Sequence, residues 1–239
     1  MTERIGVFGG TFNPIHLGHL HIAGEIQKIF SLSQVHFVVA TTPPHKGSGT
    51  LIHFTHRYAM ATLATSGIAS FIPSMIELEP EASSYSVDTM AKLTGRFGPE
   101  DTALYFIAGG DSLYEVKSWR QSEKLLTSYN FIFALRPGTG PFSPQGVLPE
   151  KSVPLLRDLT GMERDAARRI IREKDPANRI YVLDVGAPEI SATRIRKLIS
   201  SGKPVHRMVP RPVCDYIRKL HLYMVEDDRS LEDCRCSGR

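Results

Sequence analysis

Apolar residues in this chain switch repeatedly between two spacings. Compact β-prone runs at Ile5–Phe8, Val35–Ala40, Ala103–Ala108, Asn130–Leu135 and Ile180–Asp184 read as strands, with a shorter one around Ser70–Pro73. Between them the apolar positions fall at helical spacing. A helix is predicted to open near Gly18, with Leu17, Leu20, Ile22, Ala23, Ile26 and Ile29 on one face. Further helices are predicted over Phe54–Ala64, Ser86–Arg96, Ser191–Ser200 and Pro212–His221. The first strand, a Gly9–Gly10 turn, the first helix and the second strand form a βαβ unit, which implies parallel pairing and a right-handed crossover. Repeated along the chain, this alternation predicts an α/β, doubly wound, Rossmann-like parallel sheet with helices on both faces and a C-terminal helical extension.

Two stretches depart from the alternation. Residues 136–152 carry Pro137, Gly138, Gly140, Pro141, Pro144, Gly146 and Pro149, the composition of a long surface loop or linker. Arg157–Lys174 reads as an exposed amphipathic helix with Arg164, Arg168, Arg169 and Arg172 among acidic partners, a solvated face or else a lid or oligomer contact. The expected organisation is one domain over 1–225, with a loop-plus-helix insertion at 137–178 and a C-terminal helical part at 186–223. Residues 226–239, charged and poor in apolar side chains, read as a disordered tail.

At 239 residues and 41% hydrophobic, the chain can bury a substantial core. Its net charge of +4 favours anionic ligands weakly and does not fit a protein that coats nucleic acid. No apolar run is long enough to span a membrane. Glu3, Gly9, Gly10, Asn13 and Pro14 interrupt any signal-peptide core, and three cysteines (Cys214, Cys234, Cys236) make no disulfide framework. A cytoplasmic protein that binds neither nucleic acid nor membrane is the expectation.

The strongest chemical signal is Gly6-Val-Phe-Gly9-Gly10-Thr11-Phe12-Asn13-Pro14-Ile15-His16-Leu17-Gly18-His19. It matches neither the dinucleotide fingerprint nor a P-loop. It has the parts of a phosphate site all the same. Gly9 and Gly10 let a ligand approach the backbone, and Gly18 and His19 fall where a helix N-terminus favours anions. His16 and His19, one turn apart, can converge on one anionic centre. A zinc pair is the competing reading, without a third ligand of suitable spacing nearby.

Thr11 with His16-Leu17-Gly18-His19 resembles the (H/T)xGH motif of the nucleotidyltransferase superfamily. The longer string from Gly9 to His19 is more specific, and resembles the bacterial nicotinate-nucleotide adenylyltransferases, enzymes of NAD biosynthesis. The resemblance implies the nucleotidyltransferase fold, with Gly9, Gly10, Thr11, Phe12, His16, Gly18 and His19 at ATP.

Ile190-Ser191-Ala192-Thr193-Arg194-Ile195-Arg196 starts a helix in which Ser191 is a good N-cap and Thr193 sits in the first turn. Arg196 must lean back along the helix to share an anion with that terminus. The segment is similar to the family's ISSTxIR motif, with Ala192 in place of the second serine, and by that resemblance Ser191, Thr193 and Arg196 hold ATP phosphates. The likeness extends over Val209-Pro210 and Tyr216-Ile217, so it covers about residues 4–136 and 179–223.

Three more segments point to the acceptor. Lys46, on the Pro43-Pro44-His45-Lys46 loop, can reach developing negative charge as a mobile cation. Ser83-Ser84-Tyr85-Ser86-Val87-Asp88-Thr89 leads into a helix with Ser86 or a neighbouring hydroxyl as cap. Asp111 follows Gly109-Gly110, where it could cap a helix, and Trp119 taken alone could be a core or interface residue. These segments resemble the family's PPHK, SYTxDT and GxDS…W elements. The resemblance implies a mononucleotide site of Lys46, Tyr85, Ser86, Thr89, Asp111 and Trp119, in which a helix terminus meets the nicotinate carboxylate and the tryptophan stacks on the pyridine.

The implied reaction joins ATP and nicotinate mononucleotide, giving deamido-NAD and pyrophosphate. His16, His19, Lys46 and Arg196 are its expected catalytic residues. Mg²⁺ is expected to come with ATP, with no protein metal ligand assigned. A homo-oligomer is possible. Nicotinamide mononucleotide or phosphopantetheine as acceptor, and a non-catalytic nucleotide-binding protein, are the alternatives.

Overall fold

The computed structural model describes residues 2–42, 51–79, 83–98, 100–135, 144–172 and 178–224. Among them lie seven strands: β1 (Glu3–Gly10), β2 (Gln34–Val39), β3 (Phe71–Ser74), β4 (Thr102–Gly109), β5 (Asn130–Leu135), β6 (Leu156–Asp158) and β7 (Ile180–Asp184). They pair in the order β3-β2-β1-β4-β5-β7-β6, every pair parallel. The helices are α1 (Leu17–Phe30), α2 (Phe54–Thr65), α3 (Ser86–Phe97), α4 (Gly110–Glu115), α5 (Ser122–Ser128), α6 (Pro144–Val147), α7 (Arg164–Arg172), α8 (Ala192–Ser200) and α9 (Arg211–Lys219).

A strand buried on both faces needs apolar residues at consecutive positions, and β4 supplies them. Tyr105 and Ile107 pack on one side with Phe8, Ile26 of α1, Met60 of α2, Ile195 of α8 and Val213 of α9. Leu104, Phe106 and Ala108 pack on the other with Met90 of α3, Leu113 of α4 and Leu125 of α5. The two apolar layers are the doubly wound arrangement that the sequence predicts.

The strand order also fixes where a ligand can bind. From β1 the chain winds outward through β2 and β3, then returns to place β4 against the other edge of β1. The connections at the carboxyl ends of β1 and β4 therefore leave in opposite directions, and a crevice opens between them.

The sequence reading is corrected at several points. Gly9 and Gly10 do not form a turn; they extend β1, paired with Val38 and Val39, because the parallel neighbour continues the ladder. Ser86 does not cap its helix, since the N-cap residue is Tyr85. Arg157 does not start a helix. It lies in the edge strand β6 opposite Tyr181, and Asp158 Oδ1 then accepts from the N–H and hydroxyl of Thr160, turning the chain before α7. That helix rests on α1, with Ala167 and Ile171 buried and Arg164 ion-paired to Glu25. Within 136–152 the described residues, 144–152, hold α6 and the start of a 3₁₀ helix over Glu150–Leu155, so they are not all loop. The short helices α4 and α5 escaped the periodicity, because they are too brief to show one. The proposed tail, 226–239, lies outside the described residues.

Candidate active site

The loop leaving β1 is shaped by its own sequence. Phe12 adopts a left-handed φ of 47°, and the Asn13–Pro14 bond is cis. The Phe12 ring turns into the core, 5.7 Å from Phe8 and 5.8 Å from Phe37. His16 then caps α1 in an extended conformation, which puts Gly18 and His19 in the first turn.

The histidine pair is ordered locally. The backbone N–H of His16 donates to His19 Nδ1 at 3.2 Å, and the two rings stack with centroids 3.6 Å apart. A ring that accepts at Nδ1 carries its proton on Nε2, so the other nitrogen of His19 is a donor. Gly18 has a steric reason: a Cβ there would lie 3.0 Å from His16 Nδ1. Any side chain at that position would displace the ring.

Distant parts of the chain clamp this loop. Leu17 N–H donates to Met208 O at 2.9 Å, answering an orphan donor of the first turn. Arg196 Nη1 donates to Asn13 O at 2.8 Å and Nη2 to Thr193 Oγ1 at 3.3 Å. The Tyr223 hydroxyl donates to Asn13 Oδ1 at 2.8 Å, and burial pushes that phenol well up from its ordinary value. Arg57, only 1% exposed, donates to Thr11 O at 2.8 Å, Ala40 O at 2.6 Å, Thr41 O at 3.0 Å and Ile52 O at 3.1 Å. It thus ties the β1 loop to both stems of segment 43–50. Burial lowers its guanidinium from the ordinary arginine value, yet an arginine stays charged in a protein. Ser191 caps α8 as the sequence predicts, its hydroxyl accepting from Arg194 N–H at 3.2 Å.

The opposite wall starts from β2 and α3. Glu77 accepts from Thr41 N–H at 3.0 Å and from the Thr89 hydroxyl at 3.2 Å, and burial raises its carboxyl above the ordinary value. Ser84 accepts from Thr42 N–H at 2.9 Å. These bonds moor the end of β2 to the start of α3. Trp119 meets the Phe106 ring edge-on at 6.0 Å, and the Arg120 guanidinium lies 4.6 Å from the Tyr85 ring centre. Asp111 does not cap α4; Gly109 does, and Asp111 stands exposed in the first turn.

One cavity of about 500 Å³ lies between these walls, in the crevice at the carboxyl ends of β1 and β4. Gly9, Gly10, Thr11, Phe12, His16, Gly18 and His19 line its β1 side, with Ser191, Thr193 and Arg196 from α8. Tyr85, Ser86, Thr89, Asp111 and Trp119 line the far side. Lys46 lies outside the described residues. Sequence reasoning passed over Asn13, Glu77, Ser84, Arg57 and Arg120. Asn13 and Ser84 stood inside quoted motifs, and Arg120 adjoins Trp119. Glu77 and Arg57 carry no local signal.

Chemically, two helix N-termini, a histidine donor and a guanidinium face one side, which suits phosphate oxygens. An indole, a phenol and a third helix terminus face the other, which suits a flat ring bearing an anion. Among the described residues no group of three or more His, Cys, Asp or Glu could hold a metal ion. No helix among them is long and apolar enough to cross a membrane.

The cytidylyltransferase-like family model matches residues 7–198. A probable nicotinate-nucleotide adenylyltransferase of Thermoanaerobacter sp. is 35% identical, aligned over 95% of this chain and 98% of its own length. A probable nicotinate-nucleotide adenylyltransferase of Moorella thermoacetica is also 35% identical, over 92% of this chain and 91% of its own. The fold is similar to Plasmodium falciparum nicotinic acid mononucleotide adenylyltransferase complexed with NaAD, with a TM-score of 0.67 and 19% identity, covering 92% of this chain and 97% of that one. The chain belongs to the cytidylyltransferase-like family and, within it, to the nicotinate-nucleotide adenylyltransferases.

Proposed function

We propose that this protein transfers the adenylyl group of ATP to nicotinate mononucleotide, releasing pyrophosphate and forming the deamido dinucleotide of NAD biosynthesis. The observation that carries the reading is that His16, His19 and Arg196 line the same cavity as Tyr85, Ser86 and Trp119.

The mononucleotide's phosphate attacks the α-phosphorus of ATP. Its second pKa is about 6, so it is largely dianionic at neutral pH and needs no general base. Alignment and charge stabilisation remain for the protein to supply. His19, donating from Nε2, and the N-terminus of α1 hold the phosphates undergoing exchange. Arg196 and the N-terminus of α8 neutralise the leaving pyrophosphate. Lys46 is assigned the triphosphate as a mobile cation. The start of α3 binds the nicotinate carboxylate, and Trp119 stacks on the pyridine.

Mg²⁺ is assigned to ATP rather than to the protein. The side chains facing the phosphates are imidazoles, hydroxyls and a guanidinium, which fits an ion held by phosphate oxygens and water. When bound, it spreads the charge of the phosphates. The protein is assigned to the cytoplasm, where ATP and the mononucleotide meet, and no nucleic-acid or membrane partner is assigned.

The test is pyrophosphate release from ATP and Mg²⁺ with nicotinate mononucleotide, nicotinamide mononucleotide and phosphopantetheine in parallel. Preference for the nicotinate form is expected. Release only with phosphopantetheine would replace the acceptor, and no release with any of them would leave a nucleotide-binding protein.

A further inference from the structure

We infer that Arg120 selects the acceptor by its acid group: its guanidinium pairs with the nicotinate carboxylate and makes the cavity prefer the acid to the amide. This rests on the adenylyltransferase reading above and adds to it a side chain beyond the helix terminus.

Among the described residues lining the cavity, the carboxylates are Glu77, Asp111 and Glu115, and the arginines are Arg120 and Arg196. Arg196 is held on the phosphate side by Asn13 O and Thr193 Oγ1. Arg120 is therefore the arginine on the ring-binding side. An anion placed there would otherwise face Asp111 and Glu115, both exposed in α4 or its first turn.

Geometry puts Arg120 at the right place. It follows Trp119 in sequence, and its guanidinium lies 4.6 Å from the centre of the Tyr85 ring, the residue that caps α3. The cation thus lies on one aromatic side chain of that wall and next in sequence to the other. It is loosely held: Nη1 is 4.0 Å from Asp88 Oδ2, and half of its side chain is exposed. Asp88 is itself engaged at 2.5 Å by the Ser83 hydroxyl. A ring carboxylate entering between Tyr85 and Trp119 offers Arg120 a planar, two-point partner that a carboxamide cannot match in charge. Arg120 and the N-terminus of α3 then act on the same group from two sides.

The experiment measures kcat/KM for nicotinate and nicotinamide mononucleotides on the same preparation of the full chain, wild type, Arg120→Gln and Arg120→Lys. The acid-to-amide ratio cancels any difference in the folded fraction. In Arg120→Gln the ratio is expected to fall by about 10- to 100-fold, the size of one charge-assisted hydrogen bond, and in Arg120→Lys by less. A ratio unchanged by Arg120→Gln would overturn the inference, and so would a wild-type ratio near unity. Wild-type protein inactive with both mononucleotides would instead remove the adenylyltransferase reading itself, a result distinct from a lost preference.

Discussion

On the phosphate side of the cavity Arg57 and Asn13 are 1% and 6% exposed, and bonds from α2, α8 and Tyr223 converge on the loop. On the ring side Asp111 is exposed, Trp119 is partly so, and Arg120 meets Asp88 only at the limit of an ion pair. The contrast follows the work proposed for each side. Donors that stabilise charge in a transition state gain by being fixed beforehand, since no reorganisation is then needed during reaction. Side chains that recognise a ring and its substituent can close as it arrives.

Arg57 should show the largest difference between the two sides. Arg57→Met strands four carbonyl acceptors, so a loss of about 3–5 kcal/mol is expected in urea unfolding, against at most about 0.5 kcal/mol for Arg120→Met. Equal losses would mean that the two walls are equally rigid. Next in size is His19→Ala, expected to lower kcat by on the order of 10²-fold with the unfolding midpoint little changed. Near-normal turnover of the folded variant would remove His19 from the chemistry.

Trp119→Ala sharpens the other side. It should weaken mononucleotide binding by about 1–3 kcal/mol, read as a raised KM with kcat less affected. An unchanged KM would exclude stacking. Tyr223→Phe removes one buried hydrogen bond to Asn13, and about 1 kcal/mol of stability is expected to go with it. If Asn13 helps to hold the phosphate loop, kcat should fall along with stability.

The smallest effect concerns pH. Burial raises the Glu77 carboxyl above its ordinary value of 4.5. The unfolded chain therefore ionises at this residue first. Glu77 contributes stability that is fully present below 4.5 and is lost as pH rises through its raised value. The stability of wild type minus that of Glu77→Gln should accordingly be greater at pH 4 than at pH 7, as checked by denaturant titration at both. A constant difference would mean that folding leaves the proton affinity of this carboxyl unchanged.

Much of the molecule was legible before its structure. Asn130–Leu135 and Ile180–Asp184 are strands with the bounds that the sequence predicts, since a buried parallel strand leaves an unbroken apolar run. Ser191 caps its helix because a short hydroxyl before a helical run has a local partner. The errors fell where neighbours outvote local signals. Gly9 and Gly10 look like a turn until β2 pairs with them, and Arg157 looks helical until β7 does.

By itself the sequence determined the alternation of strands and helices, the two-histidine loop at the first helix terminus and the cap on α8, all set by residues a few positions apart. Only the tertiary structure decided what holds that loop. Arg196 reaches Asn13 across 183 positions and Tyr223 reaches it across 210, while Arg57 acts through backbone carbonyls that any residue could present. Such bonds leave no spacing to read, because they depend on which strands the fold sets side by side.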